Sequence, residues 1–198
     1  MRGSILPFRR RPVRDGAAVA PLSVIEQDRF RRLVLPHLDA AYSFARFLCR
    51  DGPAAEDIVH YAFLRAWRGF GDFRGDNPKA WLFAIVRNCV FSSARAAQAR
   101  AEVFLADDPD DPASARVDDA DGPETAIIRN SEVQVVRQAI EDLPEPFREA
   151  LVLRELEELS YREVAAITGA PIGTVMSRLA RARRMLATAL GGQEEVRA

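Results

Sequence analysis

Residues 107–123 read Asp-Asp-Pro-Asp-Asp-Pro-Ala-Ser-Ala-Arg-Val-Asp-Asp-Ala-Asp-Gly-Pro. Like charges mixed with Pro and Gly repel one another and bury nothing, so this stretch reads as a flexible linker. Structureless loops of that length are uncommon inside one compact domain. The stretch therefore divides a chain of 198 residues into two small domains. No apolar run reaches the roughly 20 residues of a membrane span, and residues 1–14 lack the apolar core of a signal peptide. Two cysteines, Cys49 and Cys89, suit a reduced cytoplasm better than a disulfide scaffold. The expectation is a cytoplasmic protein with no membrane insertion.

A formal net charge of −1 argues superficially against a nucleic-acid partner. Along the chain the balance is +8 over residues 1–100, −8 over 101–125 and −1 over 126–198. Residues 171–190 carry Arg178, Arg181, Arg183 and Arg184 and no acid. The small total is a cancellation, and the asymmetry is the informative quantity.

Between residues 29 and 100 apolar side chains recur at helical spacing. Leu38, Ala41, Ala45 and Leu48 line one helix ending at Asp51-Gly52, and Pro53 can open the next. There Val59, Ala62, Phe63, Ala66 and Phe70 follow the amphipathic pattern. Residues 71–76 break it as a loop, and Asn77 with Pro78 suits a helix start. The helix from 78 to about 100 has Leu82, Ile85, Val86 and Cys89 on its apolar stripe. Its other stripe holds Ala84, Arg87, Asn88, Phe91 and Arg95. Guanidinium groups bind phosphates, Asn reads base edges, and rings stack on unpaired bases. The same face is equally an ordinary solvated arginine face, and the helix alone does not decide.

The second half carries a helix-turn-helix pattern. Residues 146–156 read as one helix with Phe147, Ala150 and Leu151 inward. Ser160 and Glu163 form a capping box that opens a short helix, with Val164, Ala165 and Ile167 buried. That helix stops at Thr168-Gly169-Ala170. Pro171 starts another, running to about 190, with Ile172, Val175, Leu179 and Leu186 facing the core. Thr174, Ser177, Arg178 and Arg181 share the opposite face, as a recognition helix in a major groove requires. Gly173 leaves room for close backbone approach.

These residues together resemble a known family, the extracytoplasmic function (group 4) sigma factors of bacterial RNA polymerase. In the first half the likeness runs through Glu56-Asp57-Ile-Val, Phe63-Leu-Arg-Ala-Trp67, Phe73-Arg-Gly-Asp76, Ala80-Trp-Leu82 and Arg87-Asn88. In the second it runs through Leu143-Pro144, Phe147-Arg148, Leu159-Ser-Tyr-Arg-Glu-Val-Ala165, Gly169-Ala-Pro-Ile-Gly-Thr-Val175 and Ser177-Arg-Leu-Ala-Arg-Ala-Arg183. The resemblance implies an all-α protein of two small helical domains, sigma region 2 and sigma region 4, joined by the acidic flexible linker. The expected organisation is a basic disordered arm over 1–22, region 2 over 23–100, linker over 101–126, region 4 over 127–190 and a tail over 191–198.

By the same resemblance, Asp57, Phe63, Leu64 and Trp67 dock on the clamp helices of core RNA polymerase. Phe73, Arg74, Asn77, Lys79, Arg87, Asn88 and Arg95 bind the minus-10 strand, with the loop over 73–77 capturing an unstacked base. Gly173, Thr174, Ser177, Arg178 and Arg181 meet the minus-35 element. The implied role is promoter recognition, minus-10 melting and transcription initiation in a stress response, with promoter DNA, core polymerase and an anti-sigma factor as partners. Two departures alter detail: His60-Tyr61 replaces the family's frequent Gln-Glu, and Met176 stands where Lys is frequent. The alternative is a ligand-controlled helix-turn-helix repressor or activator whose first half is a helical sensor.

Nothing points to catalysis or a cofactor. There is no P-loop and no Ser/His/Asp grouping, and two histidines offer little material for acid–base work. His37, Cys49, His60 and Cys89 match no zinc spacing. Glu56 and Asp57, adjacent on a helix, face different ways and make no acid–base pair.

Overall fold

A computed structural model describes residues 22–107 and 129–194 of the chain, with side chains described over 22–100 and 133–191. Every regular element among the described residues is helical. Residues 1–21 of the expected arm, 108–126 of the expected linker and 195–198 of the expected tail lie outside them.

Four helices build the first half: α1 (Val24–Leu33), α2 (Leu38–Cys49), α3 (Gly52–Gly69) and α4 (Pro78–Asp107). Their ends follow from local chemistry. Ser23 and Glu26 make a capping box on α1, Asp51 Oδ1 accepts from the Ala54 amide at 2.8 Å on α3, and Asn77 Oδ1 accepts from the Ala80 amide at 3.0 Å on α4. Ala55, Ala62 and Ala66 of α3 are fully buried, and such small side chains let α2 and α4 approach its backbone closely. Phe44 stacks on Phe83 at a centroid distance of 5.0 Å, joining α2 to α4. Phe30 of α1 meets Trp67 and Phe70 edge-on at 5.0 and 5.2 Å.

The second half holds α5 (Arg129–Glu141), α6 (Glu145–Leu151), α7 (Tyr161–Thr168) and α8 (Ile172–Glu194). Ser160 and Glu163 form the expected capping box, and Gly169 ends α7 at φ 70°, a left-handed turn that glycine takes without strain. Val175, Leu179 and Ala182 of α8 are buried, and α8 packs on α5, α6 and α7.

Several expectations need correction. Residues 146–156 are not one α-helix: α6 stops at Leu151 and a π turn spans Val152–Leu156. Ile172 is 43% exposed and Leu38 is 45% exposed, so neither is a core residue. Both stand at the first turn of their helix, where the chain has not yet passed over its neighbours. α4 runs on to Asp107, seven residues into the expected linker, because residues 101–106 (Ala-Glu-Val-Phe-Leu-Ala) favour helix and contain no Pro or Gly. α8 likewise passes residue 190 to reach Glu194. Leu22, assigned to the arm, is buried in the core.

The two halves pack together, α4 against α7 and α2 against α5 and α6. Buried apolar side chains from both form one contiguous cluster. Arg148, 5% exposed, donates to the Glu141 and Leu143 carbonyls at 2.7 and 3.0 Å and to the Leu48 carbonyl of the other half at 3.4 Å. Arg50 reaches in the opposite direction, its guanidinium donating to the Glu141 carbonyl.

Candidate nucleic-acid and polymerase interface

On α3, Asp57, Tyr61, Leu64 and Arg68 follow the i, i+4, i+7, i+11 spacing of one helix face, and all four are exposed. Tyr61 and Leu64 stay 44% and 41% exposed, an apolar pair at the centre of a charged surface. The Arg65 guanidinium lies 5.7 Å from the Tyr61 ring centroid. Phe63 and Trp67 turn away from this face and pack partly against the core. Of the four residues expected to dock on polymerase, Asp57 and Leu64 thus share an exposed face, and Phe63 and Trp67 support it. Tyr61, read from sequence only as a departure, sits at the middle of that face; its i+4 and i+3 spacing from Asp57 and Leu64 was the available signal.

The loop before α4 is rigidly built. Phe73 is buried, stacked on Phe70 at 5.8 Å and packed against the tilted ring of Trp81 at 4.9 Å. A Cβ on Gly75 would come within 2.9 Å of the Phe73 ring, so that close passage requires glycine. Arg74 donates to the Gly71 and Phe73 carbonyls at 2.6 and 3.1 Å, bracing the turn. Phe73 therefore forms the floor of the loop and presents no free ring.

Along α4, Asn88 and Arg95 are exposed and Phe91 is half-buried, with the Arg87 guanidinium 4.6 Å from its ring centroid. Three further residues expected to bind nucleic acid are held by the other half. Asn77 Nδ2 donates to Glu163 Oε1 at 2.5 Å, Lys79 Nζ lies 3.0 Å from Glu157 Oε2 and donates to the Glu157 carbonyl at 2.8 Å, and Arg87 pairs with both oxygens of Glu149. Burial pushes the Glu149 carboxyl above its usual range and outweighs the opposing pull of Arg87. At Glu163 burial also pushes upward, but hydrogen bonds from the Ser160 amide and hydroxyl and from Asn77 prevail and hold it low.

The recognition face of α8 is open. Gly173, Ser177 and Arg181 are exposed, Thr174 and Arg178 half-buried, and nothing stands within 4 Å of a Cβ built on Gly173. Ser177 Oγ donates to the Thr174 carbonyl at 2.9 Å, while Arg183 is taken up by Glu155 at 2.6 Å. The expected minus-35 set thus lies together at the start of one helix, whose N-terminal amides favour an anion. Among the described residues no group of three or more His, Cys, Asp or Glu side chains could hold a metal ion, and no helix is long and apolar enough to cross a membrane.

Residues 33–100 match the family Sigma-70 region 2, and residues 134–186 match Sigma-70, region 4. The chain is 34% identical over 165 residues to the RNA polymerase sigma-H factor of Pseudomonas aeruginosa, covering 81% of this chain and 86% of that one. It is 33% identical over 168 residues to the ECF RNA polymerase sigma-E factor of Escherichia coli K12, again covering 81% and 86%. The chain belongs to the extracytoplasmic function sigma factors. The first half of this sigma factor, which could have been read as a ligand sensor, is region 2. Its fold is similar to that of the sigma factor RpoE, solved in complex with the anti-sigma factor NepR from Bartonella quintana, with a TM-score of 0.64, 32% identity and coverage of 83% of this chain and 98% of that one. It is also similar to CnrH, solved in complex with the cytosolic domain of CnrY, with a TM-score of 0.59, 26% identity and coverage of 84% and 90%.

Proposed function

We propose that this sigma factor binds core polymerase through the exposed face of α3, with Asp57, Tyr61 and Leu64 as contacts and Phe63 and Trp67 holding that face in place. Arg74, Asn77, Lys79, Arg87, Asn88 and Arg95 grip the minus-10 strand, on a loop whose floor is Phe73. Gly173, Thr174, Ser177, Arg178 and Arg181 enter the minus-35 groove. The observation that carries this reading is the acid-free face at the start of α8, mounted on a capped helix-turn-helix in the same chain as region 2. Neither module needs high affinity alone, because polymerase fixes their spacing and each raises the effective concentration of the other at the promoter.

The chain works in the cytoplasm as an initiation factor without catalysing a reaction. An anti-sigma factor controls it, a reading supported by the similar structure of a sigma factor solved in complex with an anti-sigma factor. Run-off transcription with core polymerase on a panel of stress promoters, with and without the chain, is the test. Promoter-dependent transcripts requiring the chain are expected, and their absence on every promoter overturns the reading.

A further inference from the structure

We infer that the chain closes on itself, with carboxylates of region 4 occupying the region 2 side chains that would otherwise hold the minus-10 strand. This inference rests on the assignment of Asn77, Lys79 and Arg87 to DNA.

Three contacts cross the boundary between the halves at one stripe of α4 and the loop before it. Glu163 accepts from Asn77 at 2.5 Å, Glu157 sits 3.0 Å from Lys79, and Glu149 pairs with Arg87. All three region 4 residues are acids, and all three region 2 residues are donors. Phosphates and base edges of a single strand offer those donors the same chemistry, anionic or carbonyl acceptors. The acids therefore stand in for the strand, pair by pair. Strand and region 4 cannot both have these donors, so binding requires the halves to part.

The character of the contacts suits a switch rather than a permanent weld. Glu149 and Glu157 are 2% and 7% exposed, and a buried ion pair adds little net stability while truncating one partner leaves an uncompensated charge. Such pairs fix which surfaces meet and in what register. Arg148, donating to the Leu48 carbonyl, and Arg50, donating to the Glu141 carbonyl, add polar contacts across the same boundary. Exchanging carboxylates for phosphates lets α4 leave region 4 without stranding a cation.

The test uses the full chain, small-angle X-ray scattering and a short, labelled, random-sequence single-stranded deoxyoligonucleotide. The double variant E149A/E157A strands Arg87 and Lys79 in the closed form. It is expected to show a larger radius of gyration and to bind the oligonucleotide about tenfold more tightly, as follows if the wild-type chain is open about one tenth of the time. E149Q keeps an acceptor for Arg87 and is expected to stay closed. The wild-type chain is expected to expand on saturation with oligonucleotide, a measurement that stands even if the double variant does not fold. Wild-type dimensions in a folded E149A/E157A chain, or a wild-type chain that binds while staying closed, overturn the latch. Expansion of the variant without tighter binding overturns the competition, and places the fault in the assignment of Asn77, Lys79 and Arg87 to DNA.

Discussion

Single residues in this sigma factor serve two structures at once. Glu163 caps α7 and accepts from Asn77, 86 residues away. Its capping role was legible because Ser160 and Glu163 lie three residues apart; its partner in the other half was not, because spacing along a chain is silent about distant contacts. Glu163→Ala is expected to lower stability by about 1 kcal/mol in urea unfolding through loss of the cap. Gly173 separates fold from function more cleanly. A Cβ there meets nothing within the chain, so Gly173→Ala is expected to raise stability by about 0.5–1 kcal/mol in thermal unfolding. The same methyl is expected to weaken binding to a minus-35 duplex, since it occupies the space the DNA backbone would enter. His37 adds a pH dependence: burial, with Lys79 nearby, holds its imidazole below the ordinary 6.5. A lowered pKa means the fold favours the neutral ring, so this contribution is present above 6.5 and lost as pH falls through the folded-state pKa. His37→Gln is expected to flatten that part of the stability curve, followed by denaturation at stepped pH.

At the scale of elements, the departures from periodicity have physical causes. Leu151, Val152 and Leu153 are all buried. Three consecutive residues on an α-helix spread over some 200° of its circumference, so one inward face does not hold them all. The π turn over Val152–Leu156 widens the helix where this run meets the core. Periodicity assumed a uniform helix over 146–156 and so missed the break. Leu153→Ala is expected to lower stability by roughly 2–5 kcal/mol, because Leu153 is fully buried. Leu156→Ala, at the 47% exposed end of the same turn, is expected to stay within about 0.5 kcal/mol. Equilibrium denaturation of the two variants side by side checks both. Two helix starts, by contrast, were readable from the side chain that caps them, at Asn77 and Ser160, whereas the capping box of Ser23 and Glu26 went unread.

At the scale of the molecule, the division into two helical halves was legible because the acidic, Pro-rich stretch interrupts every apolar pattern. Their contact was not. It rests on pairs such as Arg87–Glu149 and Lys79–Glu157, whose members read separately as a DNA-facing cation and a solvated acid. The buried Arg148 adds a consequence for melting. Helix α2 ends in carbonyls that its own backbone leaves without donors, and Arg148 of the opposite half supplies one to Leu48. Unfolding either half therefore withdraws a donor or an acceptor from the other. Scanning calorimetry of the wild-type chain is expected to show one heat-absorption peak whose calorimetric and van't Hoff enthalpies agree. Arg148→Met is expected to split it into two. In the wild-type chain two sequence-separate domains thus share a single melting temperature, and any ligand that parts them would give each its own.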